Sequence, residues 1–133
     1  MITVPDSHRD LLDDTKRAFA YLATQMADGS PQVTPVWVTA DEAHILVNTA
    51  VGRTKDRNMR ARPRLAICIA DPDNPYRYLQ IRGRVAEFTT DGADDLIDTL
   101  AFKYHGVKKY QSRRPGEQRI TYKILPEKVD AHG

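Results

Sequence analysis

Short runs of alternating apolar and polar residues dominate this chain, and turn signals separate them. "RAFAYLATQM" (residues 17–26) sets Phe19, Tyr21 and Ala23 against smaller neighbours and predicts a first strand, with those three on one face. "ADGSP" follows, and Asp28-Gly29 is a strong hairpin signal. "QVTPVWVTA" alternates Val33, Pro35 and Trp37 with Gln32, Thr34 and Val36. Pro35 lacks an N–H, so this run predicts an edge strand. After the tight turn "DEA", "HILVNTA" (residues 44–50) predicts a third strand and the apolar "RLAICIADP" a central fourth. The long "NPYRYLQIRGRVAEF" places Tyr76, Tyr78, Gln80, Arg82 and Arg84 on one face. Arg77, Leu79, Ile81, Gly83 and Val85 fall on the other. "RITYKILPEKVDA" supplies the last strand.

Three segments carry helical periodicity instead. Val4 to Asp14 predicts a short entry helix with Ser7 as N-cap and Leu11 and Leu12 turned inward. "KDRNMRA" predicts a short helix capped by Thr54 and ended by Pro63. "DGADDLIDTLAFKYHG" predicts the best helix of the chain. Asp91 is its expected cap, Leu96, Ile97, Leu100 and Tyr104 form its apolar stripe, and Gly106 is its stop. "VKKYQSRRPGEQ" reads as a polar loop. Six antiparallel strands joined by tight turns, with flanking helices, predict a mainly β fold with some α, built as a small barrel.

Length and composition narrow the class. A chain of 133 residues, 41% hydrophobic and 29% charged, fits one globular domain spanning 1–133. No apolar run approaches the roughly 18 to 20 residues of a membrane span. The start "MITVPDSHRDLLDD" lacks a basic segment followed by an apolar one, so no secretory signal is expected. Cys68 is the single cysteine, expected to be a buried thiol in "LAICIA". It and four scattered histidines show no metal-ligand spacing. These features favour a cytoplasmic protein.

Charge is where the sequence becomes specific. The whole chain carries only +2, yet "VGRTKDRNMRARPR" holds Arg53, Lys55, Arg57, Arg60, Arg62 and Arg64 against Asp56 alone. No aromatic residue is interleaved with residues 53–64, so nucleic acid is not the expected partner. The cluster straddles a strand-to-helix junction, where unpaired N–H groups and the helix dipole favour an anion. Charge and position alone leave an anion site and a solvated helix face as alternatives. Trp37, Tyr76 and Tyr78 have similar double readings, as walls of a pocket or as packing residues. Hydrolytic machinery is not indicated: Ser7, Ser30 and Ser112 lack a nucleophile-elbow context, and Asp13-Asp14 and Asp94-Asp95 read as solvated charge. His105 suits the negative end of the long helix.

The order of these pieces resembles the pyridoxamine 5'-phosphate oxidase-like split β-barrel family. The resemblance runs from "LATQMADGSPQVTPVWV" through "ILVNTAVGRTKDRNMRARPRLAICIADPDNPYRYLQIRGRV" to "YKILPEKVDA". The chain looks most like its flavin/deazaflavin branch, which uses coenzyme F420, a deazaflavin with a phosphate and an acidic oligoglutamate tail. The resemblance implies a six-stranded antiparallel split barrel of the FMN-binding type. It also implies a homodimer with cofactor sites at the subunit interface and a hydride-transfer oxidoreductase acting on an unsaturated small molecule. By carry-over, Val33, Thr34, Pro35, Val36 and Trp37 run along the cofactor ring, with Asn48 and Thr49 near it. Arg53, Lys55, Arg57 and Asn58 hold the phosphate, Lys55 foremost, and Arg60 extends towards the tail. Tyr76, Tyr78 and Gln80 border the substrate pocket from the other subunit, with Tyr78 a candidate proton donor. FMN is the alternative cofactor, although "QVTPVWV" departs from the basic pattern usual in the oxidases. Haem-binding relatives would need an axial ligand, for which only His8, His44, His105 and His132 are available. A carrier that binds F420 without turnover is the alternative from another class.

Overall fold

The computed structural model describes residues 4–133. Seven antiparallel strands form one curled sheet: β1 (Ala20–Gln25), β2 (Pro31–Val36), β3 (Thr39–Ala40), β4 (Ile45–Ala50), β5 (Arg64–Asp71), β6 (Asn74–Thr89) and β7 (Arg119–His132). Their order is β2-β1-β5-β6-β7-β4-β3, with β2 and β3 at the two edges. Helix α1 (Thr54–Ala61) joins β4 to β5, and α2 (Ala93–His105) follows β6. The fold is the mainly β split barrel expected, with one strand more than the six predicted. β6 and β7 are long enough to curl the sheet, helped by register shifts at Arg82/Gly83 and Val85/Glu87. At Gly83 the pair runs so close that an added Cβ would lie 2.4 Å from the Leu125 carbonyl oxygen.

The extra strand comes from a corner in "QVTPVWVTA". The chain leaves edge strand β2 after Val36 and reappears as β3 on the opposite edge. Val38, at the crossing, has no ladder partner. Its N–H donates to the Tyr104 hydroxyl at 3.1 Å, and its carbonyl accepts from Lys103 Nζ at 2.7 Å. Lys103, 5% exposed, also donates to the Leu12 carbonyl at 2.8 Å, and Tyr104 donates to the Ala18 carbonyl at 2.6 Å. Helix α2 thus satisfies backbone groups that a sheet would otherwise pair. Burial lowers the pKa of Lys103, while burial pushes the Tyr104 hydroxyl up to about 12.

Most strand predictions hold, including the faces of β6 and the hairpin turn at Gly29, whose φ is +88. Several local expectations do not. In β1 the inward residues are Ala20, Leu22 and Thr24, so Phe19 and Tyr21 face out. Cys68 lies on the outer face of β5 and is only half-buried, because the inward set there is Leu65, Ile67 and Ile69. The entry segment is a 3₁₀ turn (Asp6–Leu11) with Pro5 at its N-cap, and Ser7 lies inside it. Leu11 and Leu12 are buried as expected. Thr54 is not a cap: Arg53 holds that position with no side-chain bond. At α2 the cap is Gly92 at φ +72 rather than Asp91, while Gly106 ends the helix in the left-handed region as predicted.

Candidate functional site

A cleft of about 580 Å³ opens where the β2 end, the β4–α1 junction, α2 and the loop before β7 meet. One wall is apolar: Pro35, Val36, Trp37, Ile97 and Ala101 contribute to it. Trp37 is fixed by packing. Its ring stacks on Tyr104 at 5.2 Å and 7°, and the His105 and Tyr110 rings stand edge-on to it at 5.2 and 6.0 Å. A flat aromatic ligand would meet an already ordered surface here.

The other wall is cationic. Arg53, Lys55 and Arg119 all line the cleft. Arg119 is 4% exposed and donates from Nε to the Asn48 side-chain oxygen at 2.9 Å. Asn48 in turn donates to the Ala93 carbonyl at 2.8 Å, so one amide ties β4, β7 and the start of α2 together. The Arg119 guanidinium lies 5.2 Å from the Tyr110 ring centre, and its Nη1 has no hydrogen-bond partner. Lys55 makes no hydrogen bond or ion pair among the described residues. Burial first, then the charges of Arg53 and Arg119, lowers its pKa. Burial likewise lowers that of Arg119. Beside them the Thr49 hydroxyl is buried without a partner. Lys55, the two cleft-lining arginines and the unpartnered Thr49 hydroxyl stand beside an ordered aromatic wall, an arrangement suited to a flat, anionic molecule.

The structure therefore gathers Pro35, Val36, Trp37, Asn48, Thr49, Arg53 and Lys55 around one space. Other predicted site residues lie elsewhere. Val33 is 63% exposed on the edge strand, and Thr34 has a buried hydroxyl without a partner outside this cleft. Arg57 donates back to the Gly52 carbonyl and to Thr54. Asn58 is buried; its amide donates to Thr24 at 3.0 Å and to the Met26 sulfur at 3.3 Å, locking α1 to the β1–β2 hairpin. Arg60 pairs with Asp56 at 3.2 Å and covers the Phe88 ring at 4.8 Å. Arg62 binds the Gln25 carbonyl at 2.7 Å. Tyr76, Tyr78 and Gln80 lie on the outer face of β6, away from the cleft, with Tyr78 stacked on His132 at 4.7 Å.

Sequence reading missed Arg119, Tyr110 and Ile97 as cleft residues. Arg119 opens a strand that looked purely structural, and only the β4–β7 pairing of Ala50 with Arg119 brings it beside the basic junction. Asp56 was also underrated. Its buried carboxylate accepts from the Gly52 N–H at 2.9 Å, the Tyr122 hydroxyl at 2.6 Å and Arg60 at 3.2 Å. Burial opposes ionisation, but these three donors outweigh it and lower the pKa. Burial, and then the bond to Asp56, push the Tyr122 hydroxyl well up. Among the described residues no group of three or more His, Cys, Asp or Glu side chains is placed to hold a metal, and no helix is long and apolar enough to cross a membrane.

The fold is a split barrel with a half-apolar, half-cationic cleft, and comparison with known proteins makes the class specific. Residues 4–133 match the pyridoxamine 5'-phosphate oxidase family. A solved structure named F420 reductase is 30% identical, with a TM-score of 0.82 over 96% of this chain and 98% of that one. A conserved hypothetical protein of Mycobacterium tuberculosis, 18% identical, covers 98% of this chain and 86% of its own at TM-score 0.72. HupZ of Group A Streptococcus, also 18% identical, covers 97% and 94% at TM-score 0.69. These last two share the fold. The chain belongs to the pyridoxamine 5'-phosphate oxidase-like split-barrel family, and the F420 reductase bears out its resemblance to the deazaflavin branch.

Proposed function

We propose that this protein is a flavin-type oxidoreductase whose cofactor is coenzyme F420, and that it passes hydride from the reduced deazaflavin to an unsaturated small molecule. One observation carries the reading: three cations, Arg53, Lys55 and Arg119, converge on a cleft whose opposite wall is an ordered aromatic surface. The residues fit such a group. Lys55, Arg119 Nη1, which makes no hydrogen bond, and the buried Thr49 hydroxyl offer donors to a phosphate, and Pro35 and Trp37 offer a flat apolar wall to a ring. FMN carries a single phosphate and needs fewer cations, so the cluster favours the more anionic deazaflavin. The F420 reductase at 30% identity supports the same choice.

When bound, the deazaflavin supplies the hydride; the chain binds, orients and excludes water. Trp37, whose plane is fixed by stacking on Tyr104, would offer the ring a flat wall. Asn48 orients Arg119, and Asp56 fixes the start of α1 and so the direction of Lys55. A homodimer, in which Tyr76, Tyr78 and Gln80 of a second copy border the substrate side, belongs to this proposal. Tyr76 and Gln80 are exposed on β6 and Tyr78 is half-buried there, which is compatible with it.

Calorimetric titration of the purified protein with F420 and with FMN tests the reading. F420 should bind more tightly, and mixing the reduced complex with an enone should regenerate the oxidised cofactor's absorbance. Preference for FMN would replace the cofactor, and F420 binding without turnover would make the protein a carrier. Lys55→Ala should weaken F420 binding by roughly 1.5–3 kcal/mol, the range for a charge-assisted bond to phosphate. Unchanged affinity would return Lys55 to a surface helix.

A further inference from the structure

One acid stands against the arginines of the cationic wall. Glu117 lies in the loop before β7, where Gly116 takes φ +75 and the Glu117 N–H donates to the Arg114 carbonyl at 3.1 Å. The next residue's carbonyl, that of Gln118, accepts the Val51 N–H at 2.8 Å and pins the loop to the β4–α1 junction. The Glu117 side chain is 6% exposed. One oxygen, Oε1, serves both neighbours: Arg53 Nη2 at 3.5 Å and Arg119 Nη1 at 3.4 Å. The other, Oε2, is buried with no hydrogen-bond partner, and so is Arg119 Nη1.

These distances matter. Bonds between charged nitrogen donors and carboxylates usually measure about 2.7–2.9 Å, often in pairs. Glu117 makes neither short nor paired contacts, although two guanidinium groups are beside it. Charge holds it there, with little help from directed bonding, and it leaves a buried donor and a buried acceptor unsatisfied. A ligand oxygen entering between Arg53 and Arg119 would satisfy the donor and meet repulsion from the carboxylate.

We propose that Glu117 is a resident counter-anion that competes with the ligand's anionic group for Arg53 and Arg119, and so makes the cleft reject small free anions. An ion such as inorganic phosphate gains only the cationic contacts, and Glu117 offsets much of that gain. A ligand that also covers the Trp37 wall has a second source of affinity and is retained. The inference rests on the anion-binding reading of the cleft.

The test uses inorganic phosphate as the probe, so it does not depend on F420. Glu117→Gln should bind phosphate about tenfold more tightly than wild type, with a steeper loss on adding salt, since one repelling charge a few ångströms away has gone. Asp130→Asn, the same charge change on the outer end of β7, should leave phosphate affinity unchanged. In the wild type the Glu117 carboxylate carbon resonance should shift as phosphate saturates the site, which covers the case of an unstable variant. Weaker binding by Glu117→Gln would show that Glu117 positions the arginines, and would overturn the proposal. An equal gain in Asp130→Asn, no phosphate binding by either Glu117 form, or a carboxylate resonance that stays still would also overturn it. Failure of F420 to bind would sink the cofactor assignment and leave this comparison intact.

Discussion

Replacing Asp56 by alanine should destabilise the fold by about 3 kcal/mol, and the sum can be made from its contacts. The Gly52 N–H loses a charged acceptor in a partly buried bond, which costs about 1.5–3 kcal/mol. Tyr122 keeps the Asp56 backbone carbonyl at 3.0 Å as an alternative acceptor, so its hydroxyl loses less. The Arg60 pair is 44% exposed on the arginine side and adds at most about 0.5 kcal/mol. In a chain of this size about 3 kcal/mol corresponds to a fall in Tm of roughly 9–15 °C. Differential scanning calorimetry at fixed protein concentration would measure it. The pH dependence sharpens the assay. The fold lowers the Asp56 pKa, so the native state binds its proton less readily than the unfolded chain. Its contribution is therefore present above the ordinary carboxyl value of about 3.9 and fades as pH falls through the lower folded value. Asp56→Ala should consequently show a shallower acid loss than wild type below about pH 5. A variant within 0.5 kcal/mol of wild type, or one with an identical acid limb, would refute the idea that this carboxylate organises the start of α1.

Two further changes probe the frame around the cleft. Lys103→Met should cost about 1–3 kcal/mol in chemical denaturation, because the Leu12 and Val38 carbonyls lose their donor at the β2–β3 corner. Burial lowers the Lys103 pKa, so wild type should gain stability over this variant as pH rises from the folded value towards about 10.4. Gly83→Ala should destabilise by at least about 2 kcal/mol, since the new methyl would meet the Leu125 carbonyl oxygen at 2.4 Å; a silent substitution would show that β6 and β7 can separate there.

How much of this was legible beforehand depends on the range of the forces involved. Strand alternation and turn chemistry are local, so β6 with its two faces and the turn at Gly29 could be read directly. The corner at Trp37–Val38 could not, because its hydrogen bonds come from Lys103 and Tyr104, more than sixty positions later. Capping failed for a related reason. Thr54 and Asp91 have the right side chains, but Gly52 and Gly92 set the backbone path into each helix, and the donors find other acceptors. In the basic cluster, sequence could count cations but not assign them. Arg57, Arg60 and Arg62 meet acceptors away from the cleft, whereas Lys55 and Arg53, the latter paired with Glu117, line it. Arg119 needed the strand register, which no local pattern supplies.

Trp37 is the only tryptophan in the chain, and it stands in the cleft wall stacked on Tyr104. Tryptophan emission, excited selectively over the six tyrosines, is therefore a one-site signal. A chromophore docked against that wall would drain its excited state by energy transfer, while a ligand bound elsewhere on the barrel would leave the emission much less changed. The residue that shapes the surface for a ring thus also reports, with no label attached, whether a ring is there.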